Sequence, residues 1–247
     1  MYKAVSFNIQ SWNVTDLRKE GFVDKIKKLN PDLIGLQEVT YVWDELVNKT
    51  FSEDYYVFGD FRFSSYNQHN EKNTVLVRKS IFNVLKTETF WLSDTPHKES
   101  IAKDCMYPRV CTYVVLEEKK TKKQFMFLNT HLDHLCDEGR ENETRCFVEF
   151  IKTLKLPIVL VGDFNSQSFH KSYKLVNELL KDSKMCFENP DLSWTWHTYD
   201  ENPTEEIIDY IFISEEIEPL KFNVDKNQYK GVDVSDHRAI ALEFCLK

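Results

Sequence analysis

The sequence predicts an α/β chain of two packed mixed sheets with helices outside. Two observations lead there. Hairpin-like strand pairs alternate with strand–helix–strand units, and only about four stretches carry helical periodicity. The 247 residues are 42% hydrophobic and 29% charged, which is ordinary globular composition with length enough for a large core. One domain over residues 1–247 is the default at that size. No internal repeat, low-complexity tract or Pro/Gly linker interrupts it.

Ala4–Phe7 reads as a buried first strand. Phe22, Val23, Ile26 and Leu29 recur at helical spacing, and Asn30-Pro31 stops that helix. Leu33–Leu36 is a short apolar strand that runs into Gln37-Glu38; Thr40 then suits an N-cap for a helix to about Lys49. Tyr55–Phe58, Thr74–Val77 and Phe82–Phe90 read as strands, the first two separated by a polar-aromatic loop around Phe61, Phe63 and Tyr66. Trp91–Tyr107 is long and irregular, as functional loops tend to be. Arg109–Leu116 and Gln124–Asn129 form a hairpin across the charged turn Glu117–Lys123. Helices are expected over Glu138–Leu154 and Phe169–Leu180, and strands over Pro157–Val161, Ile207–Ile213 and Ala239–Phe244.

The net charge of −8 disfavours long polyanionic partners unless a basic patch or a bound metal offsets it. The six cysteines are scattered with no CxxC pair, so their spacing suits neither zinc nor a disulfide framework; reduced thiols are expected. Nothing resembles a signal peptide or a membrane span. A cytoplasmic, or nuclear, location and no stable membrane insertion follow as expectations.

Five segments each end a predicted strand on a carboxylate, amide or imidazole: Phe7-Asn8, Leu36-Gln37-Glu38, Asn129-Thr130-His131, Gly162-Asp163-Phe164-Asn165 and Ser235-Asp236-His237. Together they suggest a metal and acid/base site at one end of the core, with hard oxygen ligands suited to Mg²⁺ or Mn²⁺ and histidines for proton transfer. Each has a plainer reading. Glu38 could be a solvated helix-start carboxylate, and Asp163 with Asn165 an Asx-turn. Asp209, inside an apolar run, is costly unless paired. His237 is a natural partner for it, and backbone amides are the alternative. His131 and His134 have HxxH spacing, but no soft third and fourth ligands accompany them, which argues against zinc.

In their order, with Ile208-Asp209-Tyr210, these segments resemble the endonuclease/exonuclease/phosphatase superfamily, the deoxyribonuclease-I-like fold, over nearly the whole chain. The resemblance implies a four-layer α/β/β/α sandwich and a metal-dependent phosphoester hydrolase. It implies Glu38 as principal Mg²⁺ ligand, with Mn²⁺ able to substitute, assisted by Asn8 and Asp236. Asp163 would orient or deprotonate the attacking water and Asn165 would hold a phosphate oxygen. His237, supported by Asp209, would contact the phosphate and act in proton transfer. His131 resembles the second family histidine, and Glu71 stands where some members place a carboxylate partner.

Phe90–Pro96 and Thr130–His134 look like small members grouped with deadenylases of carbon-catabolite-repressor type, which would make Arg109 a phosphate-facing cation rather than a strand-end surface group. Trp196 and His197, with Trp194, could stack bases or serve as core plugs. Two departures bear on substrate. Ile207 stands where many relatives carry a basic residue, and Gln10 stands where abasic-site endonucleases have Asp. The expectation is a monomeric phosphodiesterase or nuclease, a 3′→5′ exonuclease on RNA or short nucleic acid. The alternative is a phosphatase or phosphodiesterase acting on a small molecule or lipid headgroup.

Overall fold

The computed structural model describes residues 1–67 and 70–247. The first half of the chain runs β1 (Tyr2–Asn8), α1 (Asp16–Leu29), β2 (Leu33–Val39), α2 (Tyr41–Phe51), β3 (Tyr55–Phe58), β4 (Lys72–Arg78), β5 (Phe82–Trp91), β6 (Val110–Glu118) and β7 (Gln124–His131). The second half runs α3 (Asp137–Thr153), β8 (Ile158–Asp163), α4 (Lys171–Asn177), β9 (Lys181–Asp182), β10 (Trp196–His197), β11 (Glu205–Glu206), β12 (Asp209–Ile213), β13 (Ile217–Val224) and β14 (Ile240–Leu246). Two six-stranded sheets form, in the orders β13-β14-β1-β2-β4-β3 and β5-β6-β7-β8-β12-β9; β10 and β11 pair separately. Each sheet is mixed, because β1–β2 and β7–β8 are parallel while the other pairs are antiparallel.

Strand alternation explains the layers. On β1, Ala4 joins the inter-sheet core with Leu33, Val75, Phe125, Phe127, Val159 and Val161. Its neighbours Val5 and Phe7 face the other way, against Phe22 and Ile26 of α1 and Trp43 and Val47 of α2. The second sheet sends Leu128, Leu160 and Phe212 outward against Phe147 and Ile151 of α3 and Val176 of α4. The result is helices, sheet, sheet, helices, as expected.

The two sheets come together tightly near one end. A Cβ on Gly35 would strike Val161, so glycine is required there by close approach. Beside it a polar tie replaces apolar packing. Gln37 Nε2 donates to Ser6 Oγ (3.1 Å) and Asn129 Oδ1 (2.7 Å), and Asn129 Nδ2 donates to the carbonyls of Leu36 and Thr74, each at 2.9 Å. Fully buried, with Gln37 Oε1 alone among the amide atoms left without a partner, Gln37 and Asn129 fix one sheet against the other next to the strand ends that matter below.

Four expectations change. The helix expected over Phe169–Leu180 is shorter, because His170 is extended at its N-cap and the chain leaves to pair Lys181–Asp182 with β12. The strand expected over Ile207–Ile213 begins only at Asp209. β13 went unforeseen: it is an edge strand carrying Pro219, with a register shift between Pro219 and Lys221, features that mask strand patterning. Ser235–His237 does not end a strand. It lies in the β13–β14 connection, held by Ser235 Oγ donating to the Asn8 carbonyl (2.7 Å).

Candidate active site

The ends of β1, β2, β7 and β8 and the start of β12 meet at the edge of the polar tie. Register alone puts His131 beside Asp163 and Asp209 across from Asp163. Asp163 and Asn165 point to one side while Phe164 is buried on the other against Tyr210 and Phe212. Glu38 has φ +60 at the register shift between Leu36 and Val39 of β2. Left-handed backbone at a glutamate costs on the order of 1 kcal/mol, and here it accompanies a carboxylate turned toward the cleft rather than alternating through the sheet.

Asn8 joins the strand ends. Its Nδ2 donates to Glu38 Oε1 and Asp163 Oδ2, both at 2.9 Å, and its Oδ1 accepts from the Gln10 N–H (2.9 Å). Asn8 therefore reaches the cleft through the two carboxylates it orients. Glu38 Oε2 accepts the Ser11 N–H at 2.6 Å. Burial alone would raise the Glu38 carboxyl, but the Ser11 and Asn8 donors and the His237 charge hold it below the ordinary value.

His237 lies between two acids. Its Nδ1 is 2.9 Å from Asp209 Oδ2 and its Nε2 is 3.6 Å from Asp163 Oδ2. Asp209 is 1% exposed, its backbone N–H is bonded to Thr195 Oγ1 (3.1 Å), and its Oδ1 has no hydrogen-bond partner. Burial opposes the imidazolium, yet Asp209 and Asp163 override it and raise His237 to about 10. Burial raises the Asp163 carboxyl, with the His237 charge opposing and Asp209 adding to the rise.

His131 Nε2 also lies 3.4 Å from Asp163 Oδ2, but its remaining neighbours are of the opposite charge. Asn165 Nδ2 donates to the Leu132 carbonyl and to His131 Nε2, each at 3.0 Å, so that nitrogen is an acceptor and the ring is neutral. Burial and the Arg109 and Arg62 guanidiniums hold His131 well below its ordinary value. Arg109 is 5% exposed and its Nη2 donates to His134 Nδ1 (3.1 Å); it is a cleft group and not a surface one. Burial and Arg109 likewise lower His134.

A cleft of about 480 Å³ opens over these groups. Of the residues expected from sequence, Glu38, Glu71, Arg109, His131, Asp163, Asn165, Trp196, Asp236 and His237 line it. Asn8 and Asp209 stand behind it. His197 does not line it: its ring packs against Trp194 (4.7 Å) and Tyr199 (5.0 Å). Trp194 lies outside as well, under the Arg238 guanidinium.

The sequence reading passed over Arg62 and Tyr107. Arg62 Nη1 pairs with Glu71 Oε2 at 3.1 Å, which identifies the partner of Glu71 as a cation on the facing strand end. The Phe61–Lys72 bridge places Arg62 opposite Glu71. Burial and the Glu38 charge raise the Glu71 carboxyl, with Arg62 opposing. A signal existed in an arginine flanked by aromatics nine residues before a glutamate, but only the bridge register gives it meaning.

The sequence profile of the Endonuclease/Exonuclease/phosphatase family matches residues 5–237. The chain belongs to that family. Members of the endonuclease/exonuclease/phosphatase family are phosphoester hydrolases, and so is this protein. Among solved structures it is similar to a family protein from Bacteroides vulgatus (25% identity, 100% of this chain and 99% of that one, TM-score 0.90). It is also similar to a mannosyl-6-phosphatase of Bacteroides thetaiotaomicron (25% identity, 100% of both chains, TM-score 0.87). The human Nocturnin catalytic domain shares the fold, at 18% identity over 100% of this chain and 94% of that one (TM-score 0.80). Among curated proteins, none matches.

The family depends on a divalent metal, and the donors here fit a hard one. Glu38, Glu71 and Asp236 line one cleft and offer it the hard carboxylate oxygens that such a cation takes. Asp163, Asp209 and His237 also lie with their ligand atoms within 4.8 Å of one another. Their hydrogen bonds account for that triad as an ion-paired group.

Proposed function

We propose that the protein is a metal-dependent phosphomonoesterase acting on a small phosphorylated molecule, of which a sugar phosphate is the leading class. The observation that carries this reading is the composition of the cleft. Among the described residues no lysine lines it, four carboxylates do (Glu38, Glu71, Asp163, Asp236), and one of two arginines, Arg62, is paired to Glu71. A strand of nucleic acid is held by a continuous run of cations. The volume of about 480 Å³ lies in the range of small-molecule sites. The 25% identical mannosyl-6-phosphatase supports the same class.

In this reading Glu38 and Asp236 would hold Mg²⁺ or Mn²⁺, which when bound would supply positive charge to the phosphoryl and leaving oxygens. The protein's own groups do the rest. Asp163, raised by burial, takes the proton of the attacking water as its oxygen bonds to phosphorus and the ester P–O bond breaks opposite it. The His237 cation, kept charged by Asp209, faces the phosphate and stabilises the transition state. Asn165 and neutral His131 fix the position of a phosphate oxygen. Arg109, with His134, takes a further phosphate oxygen, and the Arg62–Glu71 pair offers both a donor and an acceptor to hydroxyl groups of the substrate.

A nuclease reading keeps one specific observation in its favour: Phe63, Tyr107 and Trp196 line the cleft and offer faces for a base. The test is inorganic phosphate release from hexose and pentose phosphates with Mg²⁺. The proposal expects turnover that EDTA abolishes and Mg²⁺ or Mn²⁺ restores. Shortening of an RNA oligomer with no phosphate released from any monoester would install the nuclease reading instead.

A further inference from the structure

The loop between β1 and α1 folds around one buried guanidinium. Arg18 lies in the first turn of α1, where Thr15 Oγ1 accepts its backbone N–H at 3.3 Å, and it is 5% exposed. Its side chain makes five hydrogen bonds, every one to a backbone carbonyl. Nε donates to Val234 (2.7 Å), Nη1 to Trp12 (2.6 Å) and Asn13 (2.9 Å), and Nη2 to Ile9 (2.5 Å) and Gln10 (3.1 Å). A guanidinium has five N–H donors, so the set is used in full on main chain and none is left for a carboxylate. Arg18 also lies over the Trp43 ring at 5.5 Å, and Trp43 Nε1 donates to the Gln10 carbonyl as well (3.2 Å).

Four of those carbonyls belong to residues 9–13. Gln10 and Asn13 take left-handed backbone there, at φ +55 and φ +54, a conformation that non-glycine residues keep only where their surroundings fix it. With the carbonyls on either side of it bound to Arg18, the Ser11 N–H is the group that reaches Glu38 Oε2 (2.6 Å). The fifth carbonyl, that of Val234, opens the segment carrying Ser235, Asp236 and His237. Ser235 Oγ ties that segment to the Asn8 carbonyl at 2.7 Å. One side chain thus holds two stretches of backbone at once. The first orients Glu38; the second carries Asp236 and His237.

We propose that Arg18 is a positioning residue of the cleft: it sets residues 9–13 against residues 234–237, so that the carboxylates of Glu38 and Asp236 are aligned for a divalent cation before one binds. The proposal rests on the reading that these two carboxylates hold the metal. Its rival is a role in stability alone, which Lys25 illustrates on the same helix. Lys25 Nζ pairs with the Asp225 carboxylate and donates to the Asn227 carbonyl (2.9 Å), in a part of the β13–β14 connection that does not line the cleft. Both cations are buried in α1 and tie it to that connection. Only Arg18 also holds the loop whose N–H meets Glu38.

The test is Mn²⁺ binding to the metal-stripped full chain, measured by calorimetry in the wild type, Arg18→Lys, Lys25→Met and Glu38→Gln. Lysine keeps the charge that acts on Asp236 and Glu38 but lacks the planar fork that reaches all the carbonyls. Arg18→Lys should weaken binding by about 10- to 100-fold, the scale for removing the support behind a metal ligand, and excess Mn²⁺ should restore occupancy. Lys25→Met should lower the thermal midpoint and leave the affinity within about twofold. Wild-type affinity in Arg18→Lys, beside a loss in Glu38→Gln, overturns the role of Arg18 alone, and so does an equal weakening in Lys25→Met. Binding that survives Glu38→Gln sinks the metal reading and this role with it. Where Arg18→Lys fails to fold, hydrogen exchange on the wild type decides. The bonded N–H groups of Gln10, Ser11 and His237 should be protected in the metal-stripped chain, with little added by Mg²⁺. Free exchange there until Mg²⁺ binds would mean that the ion orders these segments, and would overturn the proposal.

Discussion

Two equally buried histidines flank Asp163 Oδ2, His131 Nε2 at 3.4 Å and His237 Nε2 at 3.6 Å, yet the rest of their surroundings differ in charge. His237 stands among carboxylates and is raised to about 10. His131 stands near Arg109 and Arg62 and is held well below its ordinary value. Their exposures, 7% and 5%, do not separate them; their neighbours do. The difference teaches how one site divides its labour. The His237 side keeps a fixed positive charge on a strand-end scaffold and suits the chemical step. The His131 side keeps a neutral ring beside guanidiniums and suits holding the rest of the substrate.

The comparison breaks most sharply at His237. His237→Ala should lower kcat for a phosphomonoester by about 10³-fold, the upper range for loss of one preorganised electrostatic group, with KM changed much less. Steady-state phosphate release checks this, and an equal loss spread into KM would move His237 to the binding side.

Asp209→Asn comes next, at about 10²-fold in kcat. It also changes the dependence of stability on pH. Because His237 is raised above its ordinary 6.5, the native state keeps a proton that the unfolded chain releases between pH 6.5 and about 10. The stabilisation is whole below pH 6.5 and is lost as pH rises through about 10. Urea titrations across that window should show stability falling in the wild type, with a smaller fall in Asp209→Asn. An identical slope in both would remove Asp209 as the source of the shift.

On the other side, Arg109→Ala should cost roughly 10- to 100-fold in kcat/KM, the equivalent of one charge-assisted hydrogen bond of about 1.5–3 kcal/mol, carried mainly in KM. A kcat effect as large as that of His237→Ala would erase the division. The smallest effect is expected at Tyr66, which is 81% exposed and stacks on Tyr41 at 5.2 Å. Tyr66→Ala should leave kcat/KM for a sugar phosphate within about twofold. A base-stacking role would instead cost about 1–3 kcal/mol on an oligonucleotide.

Much of this site was legible in the sequence because it is carried by strand ends. Asn8, His131 and Asp163 each close an apolar run, so hydrophobic patterning located them before any geometry was known. The Asp209–His237 pair was legible for a different reason: a carboxylate next to Ile207, Ile208 and Tyr210 requires a partner. Not every loop-borne group was legible. Arg62 matters because a single bridge sets it opposite Glu71, and His197 misleads because its ring turns away toward Trp194. The edge strand β13 was lost to its proline and bulge.

The most direct test of the account sets both substrate classes before one preparation. With Mg²⁺ present, a panel of sugar phosphates and an RNA oligomer would be compared by kcat/KM, with His237→Ala as the control for a contaminating activity. The account predicts that phosphate release from at least one monoester exceeds RNA cleavage by a factor of about 10² or more, in line with a mixed-charge cleft, and that His237→Ala lowers it by about 10³-fold. RNA cleavage that outpaces every monoester and depends equally on His237 would contradict it.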